Sequence, residues 1–114
     1  MTILRKAILD LFDPGVPTTD AAERHFDPSF RQRVDGAWID RAAFVAGIEA
    51  LKEDLVRVDV SVLDELVVDD RYAERHVIDL ELRNGARIAR EVYVFGRRGP
   101  DGRFVSIEEA TIAP

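Results

Sequence analysis

The chain has 114 residues, 46% apolar and 33% charged, which suits one folded domain around a single core and excludes a disordered or fibrous chain. Its 22 acidic and 16 basic side chains give a formal charge of −6, which works against the phosphate neutralisation that drives nucleic-acid binding. Zero cysteines exclude disulfides, thiol nucleophiles and thiolate metal sites.

Thr2 is placed to cap a first helix whose apolar positions Leu4, Ala7, Ile8, Leu11 and Phe12 recur at helical spacing until Asp13-Pro14-Gly15. Asp20-Ala21-Ala22-Glu23 has the form of a capping box and opens a short second helix that stops before Asp27-Pro28. A third helix begins at Asp40. There Ile39 and Phe44 are spaced as a hydrophobic staple, and Phe44, Ile48, Leu51 and Leu55 form one stripe.

From Arg57 the period changes to two: Val58, Val60 and Val62 alternate with Arg57, Asp59 and Ser61, and Leu66 to Val68 continues to a turn at Asp69-Asp70. A strand from Tyr72 runs to Asn84-Gly85, the strongest short hairpin signal. A further strand spans roughly 86–97, and Gly99-Pro100-Asp101-Gly102 turns into a last one, 104–112. Helices followed by an antiparallel meander define the α+β class, read as a single domain over 1–114. A twisted sheet of this kind can curl around its helices and leave a conical cavity against the third helix. No apolar run approaches the roughly 20 residues that cross a bilayer, and Met1 to Lys6 lack the pattern of a cleavable leader. The expectation is a cytoplasmic protein with no membrane or nucleic-acid partner.

Several stretches resemble the SnoaL-like branch of the nuclear transport factor 2 (NTF2-like) superfamily. They are Phe26-Asp27-Pro28-Ser29-Phe30-Arg31-Gln32-Arg33-Val34-Asp35-Gly36, Asp40-Arg41-Ala42-Ala43-Phe44 opening a long helix, Arg75-His76, Glu91-Val92-Tyr93-Val94-Phe95, and the segment from Asp101 to Glu109. One departure is Arg33, where related sequences often carry a histidine. The resemblance implies a cone-shaped α+β fold, in which helices pack on a curved antiparallel sheet, and a homodimer through the sheet's outer face. It also implies a small-molecule pocket and chemistry that needs no metal or organic cofactor.

His76 is the first candidate for chemistry. Alternation puts it on one strand face with Tyr72, Glu74, Ile78, Leu80 and Leu82; if that is the face the helices cover, an imidazole that titrates near neutral pH sits in an apolar interior or pocket. The competing reading is a core histidine satisfied by a neighbour. Glu109 follows from the resemblance, because cyclases of that family use an acidic side chain as general acid or base; it shares a face with Ile107 and Thr111. On the preceding strand two registers stay open. Arg90 faces inward with Ile88, Val92 and Val94, or Glu91 does with Tyr93 and Phe95, and the frequent aromatic lining of pockets favours Glu91 and Tyr93.

Trp38, just before the third helix, is a candidate cover for the pocket mouth. His25 reads as a helix-end residue. There is no phosphate-cradling glycine loop and no G-x-S-x-G elbow. The reading is a pocket protein, with acid/base catalysis of cyclase, isomerase or dehydratase type on a polyketide-like or steroid-like carbonyl compound. His76, Glu109 and Glu91 would be catalytic, and Tyr93, Trp38 and Arg90 substrate-binding. The alternative is a non-catalytic ligand-binding or dimerisation module.

Overall fold

The computed structural model describes residues 2–114. Within them three helices, α1 (Ile3–Phe12), α2 (Thr18–His25) and α3 (Arg41–Asp54), cover one face of a curved, unclosed sheet. Its strands are β1 (Phe26–Val34), β2 (Ala37–Asp40), β3 (Leu55–Val68), β4 (Arg71–Leu82), β5 (Arg87–Arg98) and β6 (Phe104–Ile112), in the order β2-β1-β6-β5-β4-β3. The meander from β3 to β6 forms as its turn signals predict. At Asn84-Gly85 the amide of Leu82 donates to the Ala86 carbonyl at 2.9 Å.

Two strands depart from the sequence reading, and with them the all-antiparallel sheet. β1 joins β6 in parallel, so the sheet is mixed. Asp27-Pro28 hides β1 in the sequence, because proline lacks the amide a ladder needs. The chain accommodates it with a register shift between Phe26 and Arg31, leaving Pro28 exposed. β2 then returns through Asp35-Gly36, a two-residue hairpin turn flanked by the pair Val34 and Ala37. Both turn residues have positive φ, 48° and 95°, as a primed turn requires.

The helices differ from expectation at their caps and at the end of α3. Thr2 occupies the N-cap of α1 but its hydroxyl makes no cap hydrogen bond. The amides of Ile3 and Leu4 instead donate to Glu65 Oε2 at 2.8 Å and to Tyr72 Oη at 3.2 Å, so β3 and β4 cap this helix from the sheet. α2 starts at Thr18 behind Pro17, which places Asp20 in its first turn and not at its cap. Asp40 does cap α3, accepting from the Ala43 amide at 2.9 Å.

Of the α3 stripe, Phe44 enters the core, Ile48 packs against it, Leu51 is half-buried outside the core cluster, and Leu55 is the first residue of β3. Phe26, Phe30 and Phe44 meet with ring centroids 4.7 to 5.1 Å apart. This aromatic cluster packs α3 against β1.

Candidate functional site

Between the helices and the inner face of the sheet lies a cavity of about 170 Å³. α1 supplies Leu4, Ile8, Leu11 and Phe12, α3 supplies Phe44 and Ile48, and the strands supply Ile78, Val92 and Ile107, so most of the wall is apolar. The polar exceptions converge at the sheet: His76 from β4, Glu109 from β6 and Gln32 from β1.

His76 is 3% exposed, and its Nδ1 lies 2.5 Å from Glu74 Oε1. Residues i and i+2 of a strand share a face, so Glu74 and His76 point the same way by construction. The Glu74 side chain is fully buried and its second oxygen, Oε2, has no hydrogen-bond partner. A buried carboxylate on Nδ1 holds the ring orientation and leaves Nε2 as the nitrogen available to the cavity. The sequence reading did not anticipate this contact. Glu74 stood on the correct face, but the partners sought for His76 were on later strands.

Glu109 accepts a 2.9 Å hydrogen bond from Gln32 Nε2. Burial pushes its carboxyl above the usual range, more strongly than the Gln32 bond and the charge of His76 pull it down. The site thus pairs an oriented imidazole with a carboxyl biased toward its neutral, proton-donating form. Among the described residues, no group of three or more His, Asp or Glu side chains is arranged to hold a metal ion.

The remaining candidates lie elsewhere. The register pairs His76 with Val92, which settles β5: Val92 and Val94 are buried on the inner face, while Glu91, Tyr93 and Phe95 are on the outer one. Tyr93 Oη donates to Glu91 Oε2 at 2.9 Å on that outer surface, so the inward placement of Glu91 and Tyr93 is corrected. Arg90 is on the inner-face register opposite Ile78, yet it is exposed and its guanidinium turns to the Ala89 carbonyl, outside the cavity.

Trp38 is no cover for the mouth. It pairs with Arg33 on the outer side of β2, with the Arg31 guanidinium 4.4 Å from its ring centre. Arg33 itself pairs with Glu108 at 3.3 Å on the same face. His25 bonds Asp10 at 2.6 Å, joining α2 to α1.

A helix-covered, curved mixed sheet with its polar residues converging on the inner face is an architecture with known counterparts. The chain aligns over 99% of its length with the whole of an NTF2-like protein of unknown function from Exiguobacterium sp. 255-15, at a TM-score of 0.75 and 14% identity. The chain has the NTF2-like fold. Over 96% of its length it also aligns with 85% of a candidate SnoaL-like polyketide cyclase from Jannaschia sp. CCS1 (TM-score 0.69, 16% identity). Over 94% it aligns with 82% of a protein of ketosteroid isomerase-like fold from Catenulispora acidiphila DSM 44928, in complex with trimethylamine (TM-score 0.71, 14% identity). No family model and no curated protein matches the sequence. At these identities the kinship is one of fold, and NTF2-like folds carry many functions.

Proposed function

We propose that this NTF2-like domain binds a small, largely apolar molecule bearing a carbonyl or hydroxyl group, and that the site performs cofactor-independent acid/base chemistry on it. The observation that carries the reading is the buried Glu74–His76 pair at the polar end of an apolar cavity that also holds Glu109. His76 Nε2 would take a proton from carbon next to the carbonyl, and Glu109, in its acid form, would give one to the oxygen as negative charge develops there. Return of a proton to a different carbon completes an isomerisation; loss of a hydroxyl as water completes a dehydration. Glu74 touches no reacting atom and acts as a positioning residue that stabilises the imidazolium. Of the polyketide-like and steroid-like carbonyl compounds expected for a cyclase, isomerase or dehydratase, a cavity of about 170 Å³ suits a single-ring representative carrying the reacting carbonyl.

The test is exchange of the α-protons of cyclohexanone in D2O, followed by NMR. Acceleration by the wild type should fall at least about 100-fold in His76→Ala, the scale of a lost general base. Exchange that does not depend on His76 would leave the second reading, a non-catalytic ligand-binding module. The same 2.5 Å contact favours that reading too, since Glu74 and His76 then simply satisfy one another.

The homodimer belongs to this proposal as well, supported by the outer face of the sheet. Register places Trp38, Arg33, Glu108, Phe95, Ala73 and Leu66 in one row across all six strands, and Trp38, Phe95 and Leu66 are exposed. Arg75, Asp79 and Glu81 make one half of that face charged, and an apolar half lies beside it. A cytoplasmic setting stays part of the reading; no described helix is long and apolar enough to cross a membrane.

A further inference from the structure

Phe12 ends α1 at the junction of two spaces. It is 8% exposed and lines both the cavity that holds His76 and a groove of about 340 Å³ running toward the start of β3. Among the described residues it is the one side chain common to both linings. Leu55, Val56 and Val58 give the groove an apolar floor, and Lys52, Glu53 and Arg57 lie along it. The phenyl ring therefore stands between the helix–sheet cavity and a largely apolar groove.

The size of the cavity gives this position of Phe12 a consequence. A cavity of about 150 Å³ lined by apolar side chains accommodates benzene, and the cavity here is about 170 Å³. One six-membered ring with a single oxygen substituent fits, its oxygen toward His76, Glu109 and Gln32. A second fused ring extending toward the end of α1 would meet Phe12. Beyond Phe12, the groove offers that second ring apolar surface at Leu55, Val56 and Val58.

We propose that Phe12 is the residue that sets ligand size at this site: with its ring in place the site selects single-ring alcohols and ketones, and without it cavity and groove become one site for fused two-ring compounds. The proposal rests on the pocket reading above. Specificity arises because the ring fills the volume a second ring would need, an overlap that a close-packed wall relieves only by moving. Asp13 follows Phe12 outside the helix, and the loop beyond is tied to α3 by Lys52 Nζ, which donates to the Val16 carbonyl at 3.0 Å. The segment that follows Phe12 is thus held against α3.

The experiment titrates phenol and 2-naphthol separately into the wild type, Phe12→Ala and Phe12→Leu, reading dissociation constants from the imidazole resonances of His76. The wild type should prefer phenol, and Phe12→Ala should shift the ratio of the two constants toward 2-naphthol by about tenfold or more, within the range that a few carbons in an apolar pocket provide. Phe12→Leu, which keeps an apolar side chain at the helix end, should shift it in the same direction by a smaller factor. If Phe12→Ala does not fold, the Phe12→Leu ratio decides by itself.

Phenol binding with a ratio that stays within about twofold of wild type in a folded variant overturns the role of Phe12 and leaves the pocket reading standing. A wild type that binds 2-naphthol as tightly as phenol also overturns it. A wild type that binds neither compound removes the pocket reading together with the proposal.

Discussion

Glu109 makes the electrostatics of the site measurable as stability. Its folded-state pKa is raised by burial above the ordinary 4.5, so the folded chain holds a proton that the unfolded chain has already released. Between those two values the folded state binds more protons, and stability must fall as pH rises. The favourable contribution is complete below the unfolded value and lost once pH passes the folded one. Urea midpoints measured from about pH 4 to about pH 8 should therefore decline for the wild type and decline less for Glu109→Gln, which keeps the side-chain shape and has no proton to lose. Parallel curves would show that Glu109 is not desolvated. How far this site was legible follows from strand geometry. Alternation assigned His76, Glu74 and Ile78 to one face, and the structure agrees. Alternation says nothing about which of two faces on a neighbouring strand is covered, and that is where Glu91 and Tyr93 were misplaced. Aromatic residues favour buried surfaces and protein interfaces alike, so Tyr93 and Phe95 carried no sign. Valines at positions 92 and 94 were the better signal, since β-branched aliphatics alternating with charged Arg90 mark a strand that is covered along only part of its length.

At the level of elements, the helices and the four-strand meander were readable because each has a regular period and an explicit stop. β1 and β2 were not, because their information is split between a proline and a turn. Asp35-Gly36 was the available signal. The turn also receives hydrogen bonds from the Thr111 amide and hydroxyl at 2.9 and 2.8 Å, tertiary contacts that no local pattern shows. The α3 stripe makes the difference between period and burial testable. Phe44 is buried between β1 and the cavity, so Phe44→Ala should cost about 3 to 5 kcal/mol in chemical denaturation. Leu51 has the same helical phase but is only half-buried, and Leu51→Ala should cost under about 2 kcal/mol, below the range for fully buried leucines. Equal losses would mean that α3 sits deeper on the sheet at its C-terminal end than its burial indicates. Asp40→Ala, which removes the single side-chain cap of this helix, should cost about 1 kcal/mol.

For the whole molecule, the two faces of one sheet divide the labour. The inner face carries the cavity and its polar triad, and the outer face carries an exposed row with no partner in the monomer. Adjacent strands are about 4.8 Å apart, so five spacings put Trp38 and Leu66 roughly 24 Å from one another, wide enough for a patch of about 800 Å² per partner in a stable interface. Within that row Phe95 is 50% and Leu66 67% exposed, apolar surface that a second copy would cover. The Arg33–Glu108 ion pair lies within the row and Arg75–Asp64 beside it, and each is satisfied inside one chain, so a second copy meets a surface already neutral at those points. A two-fold axis through the patch would set each copy's Phe95 against the same surface on the other, the self-complementary arrangement of most homodimers. Sedimentation at micromolar concentration should accordingly give twice the chain mass of 12.8 kDa. Phe95→Asp should return the monomer with its melting cooperativity intact, because that side chain contributes to no core contact inside the chain. A wild type that sediments as a monomer removes the dimer outright. A Phe95→Asp variant that remains dimeric would move the interface off this face, and the exposed row would then need another occupant.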